Sequence, residues 1–392
     1  MTLGLGSAPK GRGELRDQPQ RRRSDRTTPP APSSEALRAW AELLRLPALF
    51  TVPGDALAGA AATAAPPNPR TLLAIGSSLC LYEAGMALND WADRHEDAAE
   101  RPHRPLPSGR VRPAAALTAA CALTGTGLAL AARAGRPALA VAAPLAATVW
   151  AYDLKLKHTL AGPVAMAAAR ALDLLLGAAA TTGRTRTALP SAALLGTHTL
   201  AVTAVSRNET QGGSSLTPLA ALAATALLTN LLRPGPTPHR TPAAPLTGHP
   251  GPRLRTAPTT GTETPAHRPE PHPATPTPTP GRATTAPTSG AARPPLPPLA
   301  PAPHTPHTTL PSTRILRTAL SAAYAATAAR PYFHAALNPS PPLTQRAVGG
   351  GIRATVPLQA ALSARSGARA TAVLVMALTP LARRFARKVS IT

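Results

Sequence analysis

Long runs of Ala, Leu and Val recur along most of this chain, separated by short loops that carry arginine. Such runs are typical of membrane-spanning helices, because a helix needs roughly 20 apolar residues to cross the hydrocarbon core of a bilayer. Up to residue 233, seven spans are predicted, at approximately 43–65, 72–88, 114–132, 138–154, 161–181, 188–205 and 216–232. The predicted fold class is therefore all-α, a polytopic transmembrane helical bundle.

Two polar stretches interrupt the apolar pattern and divide the chain. Residues 1–38 are rich in Arg, Pro, Ser and Gly, without the apolar core of a signal peptide, and are predicted to be a disordered basic cytoplasmic tail. Residues 234–313 hold about half of the prolines, so a flexible, disordered insertion is predicted there. Residues 314–392 return to further membrane helices, at about 315–337, 347–362 and 371–381.

The formal net charge of +24 is compatible with nucleic-acid binding, since basic proteins gain affinity by neutralising phosphates. The arginines, however, lie in the tail, in loops and at the C-terminus, and no aromatic-rich basic face is available to stack bases. The enrichment of cytoplasmic loops in Lys and Arg explains this distribution. We predict no nucleic-acid partner and a multi-pass protein of the cell membrane, with the lipid bilayer as its surroundings.

An acidic segment, residues 89–97 of sequence NDWADRHED, continues the second predicted helix into the cytoplasmic interface. Asn89, Asp93 and Asp97 follow at four-residue spacing and share one face of a continuous helix. Carboxylates stacked in this way repel one another unless a cation lies among them, and hard oxygen ligands suit Mg²⁺. The predicted cofactor is Mg²⁺, held by these three residues, with diphosphate oxygens completing its coordination.

A basic loop, residues 101–109 of sequence RPHRPLPSG, follows the acidic segment and is stiffened by three prolines. It places Arg101 and Arg104 beside the carboxylates, and guanidinium groups match phosphate oxygens in pairs. The predicted ligand is therefore a diphosphate bound through Mg²⁺. The alternative is that the same charges form a solvated, salt-bridged helix end that anchors the span at the interface.

Together the two stretches carry the pattern N-D-x-x-D-x-x-x-D followed by R-P-x-R-P-L-P-S-G, in which the chain resembles the UbiA superfamily of intramembrane prenyltransferases. It looks most like the divergent EboC-like branch, judging also by residues 152–158, YDLKLKH, and 343–351, LTQRAVGGG. The likeness covers about 40–233 and 314–392. It implies a UbiA-like bundle of about nine helices, with a membrane-embedded cavity that holds a prenyl diphosphate.

The resemblance also implies roles for single residues. The catalytic arginines of the acidic segment and the basic loop would be Arg94, Arg101 and Arg104. Asp90 and Tyr152 belong to the implied substrate-binding set. In the family a Tyr-x-x-x-Lys element follows the fourth helix, whereas here Lys155 and Lys157 stand three and five residues after Tyr152, which leaves open which lysine contributes.

The family's second acidic motif, D-x-x-x-D after the sixth helix, is altered in this chain. Residues 206–213 read SRNETQGG. Either Glu209 is a lone surviving metal ligand, with Arg207 compensating for a missing metal ion, or the site has lost the ordinary chemistry.

Four ionisable residues fall inside predicted spans, where an unpaired charge is costly: Asp55, Glu83, Arg170 and Asp173. Arg170 and Asp173, three residues apart, can pair with each other, whereas Asp55 and Glu83 have no obvious local partner. Glu83, six residues before Asn89, either polarises an acceptor substrate or is a neutral, hydrogen-bonded core carboxyl.

The predicted function is Mg²⁺-dependent transfer of a prenyl group from an allylic diphosphate to an unidentified, membrane-soluble acceptor. Mg²⁺ and the arginines would withdraw charge from the leaving diphosphate. The alternative, which the altered second motif favours, is a non-catalytic protein that binds or translocates a lipid-linked or prenyl-diphosphate precursor with the same fold.

Two interpretations are possible for the number of helices after residue 314 that cross the membrane. The basic residues at 383–388 favour a cytoplasmic C-terminus and therefore an even number of spans. A nine-helix bundle results instead if residues 315–337, which carry Arg317 and Arg330, lie along the membrane interface. We expect nine.

Overall fold

The computed structural model describes residues 34–45, 51–208, 214–235 and 311–389, with the side chains of Pro311 and residues 381–389 excluded. The fold is all-α, as predicted, and the described helices belong to one unit formed by residues 1–234 and 310–392. Its twelve α-helices in the described residues are α1 Ser34–Leu43, α2 Val52–Ala62, α3 Pro69–Ala92, α4 Arg94–Glu100, α5 Pro113–Ala134, α6 Arg136–Ala151, α7 Gly162–Thr182, α8 Leu189–Ser206, α9 Leu216–Leu232, α10 Pro311–Leu337, α11 Pro341–Arg365 and α12 Arg369–Val389.

Local sequence signals account for many of the helix boundaries. Proline stands at the first or second position of eight described helices, where a backbone N–H has no acceptor within the helix: α2, α3, α5, α6, α7, α8, α10 and α11. At the start of α3, the Asn68 side chain accepts hydrogen bonds from the N–H groups of Arg70 and Thr71. At the end of α7, Gly183 adopts the left-handed conformation that favours glycine.

Five described helices are long and apolar enough to cross a membrane, and their boundaries agree with five of the predicted spans. They are α3, α5, α6 with the turn that follows it, α7, and α8 with the short 3-10 turn before it. A sixth predicted span appears as the shorter apolar helix α9, and the apolar first half of α12 is shorter still.

The predicted first span, 43–65, does not form one long helix. Instead, α1 ends at Leu43 and the eleven-residue α2 begins at Val52, while residues 46–50 lie outside the described part. Helix α1 also starts at Ser34, within the stretch predicted to be a disordered tail. It is ordered because its buried face, Ala39 and Leu43, packs on the cluster that includes Leu88.

The predicted insertion 234–313 lies almost entirely outside the described residues, but its predicted end is three residues too late, because α10 begins at Pro311. Helix α10 is part of the helical bundle. It packs against α9 and α11, and its Tyr324 and Tyr332 are fully buried. Apart from α1 and α4, the described residues form ten helices of eleven or more residues, a count close to the expected nine.

A buried histidine joins three of these helices. His198 of α8 lies 3.2 Å from the Tyr324 hydroxyl through Nδ1 and 3.1 Å from the Gly351 carbonyl oxygen through Nε2. Because a carbonyl oxygen only accepts, Nε2 donates to Gly351 and Nδ1 accepts from Tyr324. The node fixes α8, α10 and α11 against one another and leaves His198 without a free polar atom.

Helices α2 and α7 touch through their backbones at two glycines. A Cβ at Gly59 would overlap the carbonyl oxygen of Leu174, and one at Gly177 would overlap backbone atoms of Ala56. Only glycine permits so close an approach. The contact holds Asp55 of α2 directly beside the polar residues of α7.

Candidate functional site

A cavity of about 260 Å³ lies between α3, α6 and α7. Its polar side chains gather at two ends. One end, which we name the upper end, is formed by Arg45, Asn89, Tyr152 and Asp153. The other, which we name the floor, is formed by Ser78, Arg170 and Asp173. The wall between them contains Tyr82 and is otherwise apolar, with Leu81, Met86, Leu145, Val149, Met166 and Ala169.

The upper end joins α3 to the turn after α6 through Asn89 and Asp153. The Asn89 side-chain amide donates to the Asp153 carboxylate at 3.2 Å, and Asp153 is only 4% exposed. Sequence reasoning missed Asp153, although it lies within the motif YDLKLKH. Its one signal was a carboxylate directly after Tyr152 at a helix end, and nothing in the spacing indicated that it faces α3.

A π turn, Tyr152–Leu156, extends α6 and decides between the two candidate lysines. The N–H of Lys157 donates to the carbonyl oxygen of Tyr152 at 2.9 Å, so the two residues lie about one turn apart. The Lys157 ammonium pairs with the Asp93 carboxylate. Lys155 is exposed and does not line the cavity. The structure therefore places Lys157, and not Lys155, beside the acidic segment.

The acidic segment is not the continuous helix that the spacing predicted. Helix α3 ends at Ala92, Asp93 caps it, and α4 begins at Arg94. The N–H of Asp93 still donates to the Asn89 carbonyl, and that of Asp97 to the Asp93 carbonyl. The three side chains take different partners in the described residues, and their predicted role as a common ligand face stays a prediction.

Asp97 is paired with the basic loop. Its carboxylate lies 2.7 Å from the Arg104 guanidinium and 3.4 Å from that of Arg101, and the residue is only 2% exposed. Arg101 is itself partly exposed. In the basic loop, the salt-bridged alternative is thus the observed arrangement, and neither arginine lines the cavity.

Asp90 acts on the cavity through another residue. Its buried carboxylate lies 3.3 Å from Arg45 and 3.7 Å from Arg104, and it does not line the cavity. Arg45, which does, precedes Asp90 by 45 residues. No local sequence signal connects the two, so sequence reasoning missed Arg45.

Two predicted arginines point elsewhere. The Arg94 guanidinium donates to the Trp91 carbonyl at 2.8 Å and stacks 4.6 Å from the centre of the Trp91 ring. Arg207 is exposed and donates to the Thr159 carbonyl. Neither side chain lines the cavity.

The two predicted glutamates do not contribute to the described site. Glu83 is 7% exposed and lies off the cavity, and neither carboxylate oxygen has a hydrogen-bond partner among the described residues. A role in polarising an acceptor there is therefore not supported. Glu209 lies outside the described residues.

The floor is held by an ion pair between helices. Arg170 of α7 lies 2.9 Å from the Asp55 carboxylate of α2, instead of pairing with Asp173 as expected. The Gln359 side chain of α11 donates to Asp55 at 2.6 Å, and the Ser78 hydroxyl donates to Asp173. Asp55 therefore has partners that only the tertiary fold supplies.

A profile of the UbiA prenyltransferase family matches residues 48–231. The matched stretch contains the acidic segment, the basic loop and every cavity-lining residue except Arg45. In this region the chain matches the UbiA prenyltransferase family. The EboC-like branch stays a prediction.

Among curated UbiA relatives, digeranylgeranylglyceryl phosphate synthase from Methanopyrus kandleri is 35% identical over 31% of this chain and 45% of that protein. The synthase from Ignicoccus hospitalis is 35% identical over 38% of this chain and 49% of that protein. The chain thus matches slightly less than half the length of these relatives.

Solved structures show weaker likeness. A digeranylgeranylglyceryl phosphate synthase has a TM-score of 0.49 at 15% identity and covers 85% of this chain and 99% of its own. A UbiA homolog from Archaeoglobus fulgidus, bound to DMAPP and Mg²⁺, has a TM-score of 0.43 at 18% identity, over 49% of this chain and 76% of its own.

In this UbiA-like region, the donors around Asp93 fit a hard divalent cation. The ligand atoms of Asp93, Glu96 and His158 lie within 4.8 Å of one another. Asp153, on the cavity side, interacts electrostatically with Asp93 and Lys157. Carboxylate and amide oxygens suit Mg²⁺, whereas the His158 imidazole suits it less. Sequence reasoning had not assigned Glu96 or His158 to the site.

Proposed function

We propose that this protein transfers a prenyl group from an allylic prenyl diphosphate to an acceptor within the cell membrane. The observation that carries the proposal is the cavity itself, which joins a charged upper end to an apolar wall. A molecule with an anionic head and a hydrocarbon tail matches both parts. The names of the two curated relatives, both synthases, support the same reaction class.

Asn89 and Asp153 of the upper end, together with the neighbouring Asp93, are the residues that would hold Mg²⁺. When bound, the ion supplies positive charge that stabilises the departing diphosphate. Lys157 and Arg45 add fixed positive charge at the same end, which favours the leaving group further. The roles of Arg94, Arg101, Arg104 and Arg207 in this step stay predictions.

Transfer breaks the bond between the allylic carbon and the bridging diphosphate oxygen, and the electron pair leaves with the oxygen. A nucleophilic atom of the acceptor forms the new bond to that carbon and loses its proton. The apolar wall, which includes Leu145, Val149 and Met166, keeps water from the allylic cation. The identity of the acceptor is left open by this chemistry.

The proposal is tested by thermal stabilisation of the full chain in detergent, using geranyl diphosphate with and without Mg²⁺. We expect Mg²⁺-dependent stabilisation that Asp93→Ala abolishes and Asp97→Ala weakens, the second because Arg104 loses its partner. His95→Ala, an exposed neighbour, is the control. Unchanged stabilisation in both aspartate variants would refute the proposed site.

A second candidate is a protein that binds or translocates a prenyl-diphosphate or lipid-linked precursor without transferring it. It is favoured by residues 206–213, where a single carboxylate stands in place of the family's second acidic pair. This candidate requires binding without turnover. Pyrophosphate released together with a prenylated product rejects it in favour of the transferase.

A further inference from the structure

The cavity has a definite length between its two ends. Asn89 and Ser78 lie eleven residues apart on α3, which corresponds to about 16 Å along the helix axis. Asp173 of α7 contacts Ser78, so the floor lies at the same level on both helices.

The floor is charged and rigidly held. Asp55, beneath it, is 0% exposed and pairs with Arg170, and Gln359 donates to the same carboxylate. The glycine contact between α2 and α7 prevents the two helices from moving closer or tilting freely. The contact therefore keeps Asp55 within reach of Arg170.

An apolar tail that grows downward from the upper end meets this floor. To pass it, the tail has to separate Arg170 from Asp55, which leaves a buried charge without a partner. A hydrocarbon chain offers no hydrogen bonds in compensation. The cost of separating the ion pair, and not a lack of volume, makes the floor a barrier to a hydrocarbon chain.

We propose that the floor formed by Ser78, Arg170 and Asp173 sets the longest prenyl donor that this protein accepts. The inference rests on the proposed function. An extended chain gains about 1.2 Å per bond, so a four-bond isoprene unit takes roughly 5 Å and about three units fill the 16 Å. Farnesyl diphosphate is the longest donor that fits.

The experiment compares Mg²⁺-dependent thermal stabilisation of the full chain by dimethylallyl, geranyl, farnesyl and geranylgeranyl diphosphates. We expect half-maximal stabilisation to need at least about 10-fold more geranylgeranyl than farnesyl diphosphate. If all four stabilise equally, the floor inference is wrong and the proposed function stands. If none stabilises, the proposed function fails, and this inference fails with it.

Two variants should change the length of the longest accepted prenyl donor in opposite directions. Ala169→Leu fills the cavity about 6 Å above Asp173, so farnesyl diphosphate should bind at least about 10-fold more weakly while geranyl diphosphate still binds. Ala168→Leu, on the neighbouring position of α7 that faces a separate apolar groove, is the matched control.

The combined Asp55→Asn and Arg170→Leu variant removes both charges together, which avoids leaving one unpaired. It should admit geranylgeranyl diphosphate at concentrations similar to farnesyl diphosphate. A folded double variant that still excludes geranylgeranyl diphosphate, with Ala169→Leu behaving like its control, overturns the inference.

Discussion

The N–H of Lys157 donates to the carbonyl oxygen of Tyr152 across five residues, at 2.9 Å. This π turn contains one residue more than an α turn, and such turns occur frequently at functional sites. It compensates for the irregular spacing of tyrosine and lysine, because Lys157 still follows Tyr152 by about one turn. The result is a lysine that reaches Asp93 of another helix.

The first prediction distinguishes the contributions of Lys157 and Lys155 to diphosphate binding. Lys157→Met should weaken Mg²⁺-dependent binding of geranyl diphosphate by about 10-fold to 100-fold, the loss of one charge-assisted hydrogen bond. Lys155→Met should bind like the unaltered protein, because Lys155 is exposed and off the cavity. Titration in detergent by thermal shift measures both. A larger loss for Lys155→Met contradicts the assignment.

The second prediction tests the π turn itself. Deleting Leu154, which is 46% exposed, leaves the lysine four residues after Tyr152, one turn of an α-helix, so binding of geranyl diphosphate should be retained. Inserting an alanine after Leu154 rotates the lysine by about 100° and should abolish binding. Equal damage from the deletion and the insertion would show that the turn has another role.

The third prediction concerns Asp153, which sequence reasoning missed. Asp153→Asn should raise the Mg²⁺ concentration for half-maximal stabilisation by about 10-fold or more, because it removes a carboxylate at the upper end while keeping the hydrogen-bonding shape. Glu100→Gln, an exposed carboxylate near Arg101 only, is the control. An unchanged Mg²⁺ requirement in folded Asp153→Asn would exclude a role for Asp153 at the metal.

Local patterns predicted most of the helices, because apolar runs of the required length can be recognised without knowledge of tertiary contacts. They also predicted the acidic segment and the basic loop. The ion-pair partners of the buried charged residues could not be predicted. Arg170 and Asp55 are 115 residues apart and meet only where α2 and α7 cross. The split of the acidic segment at Asp93 depends on tertiary partners in the same way.

The angular position of Glu83 around the axis of α3 explains why it does not line the cavity. Ser78, Tyr82, Gly85 and Asn89 follow the period of α3 and line the cavity. Glu83 lies six residues before Asn89, which rotates it by about 240° from that face. The sequence contained this information, but the direction of the cavity was needed to apply it.

The fourth prediction is about stability and concerns the contact of α2 with α7. Gly177→Ala should destabilise the protein by about 1–3 kcal/mol, because the added Cβ overlaps the Ala56 backbone. Gly125→Ala, where a Cβ meets no atom within 4 Å, should stabilise by about 0.5–1 kcal/mol. Thermal unfolding in detergent gives both values. A neutral Gly177→Ala would mean that the two helices can separate freely.

Because Gly59 and Gly177 bring two backbones into direct contact, the spacing of α2 and α7 is already at its minimum. Descendants of this protein cannot adjust the depth of the cavity by small, gradual shifts of these helices. Changes in donor length would therefore come from exchanges of side chains along α3, α6 and α7. Each exchange changes the available depth by whole helical turns, so substrate range should diverge in steps.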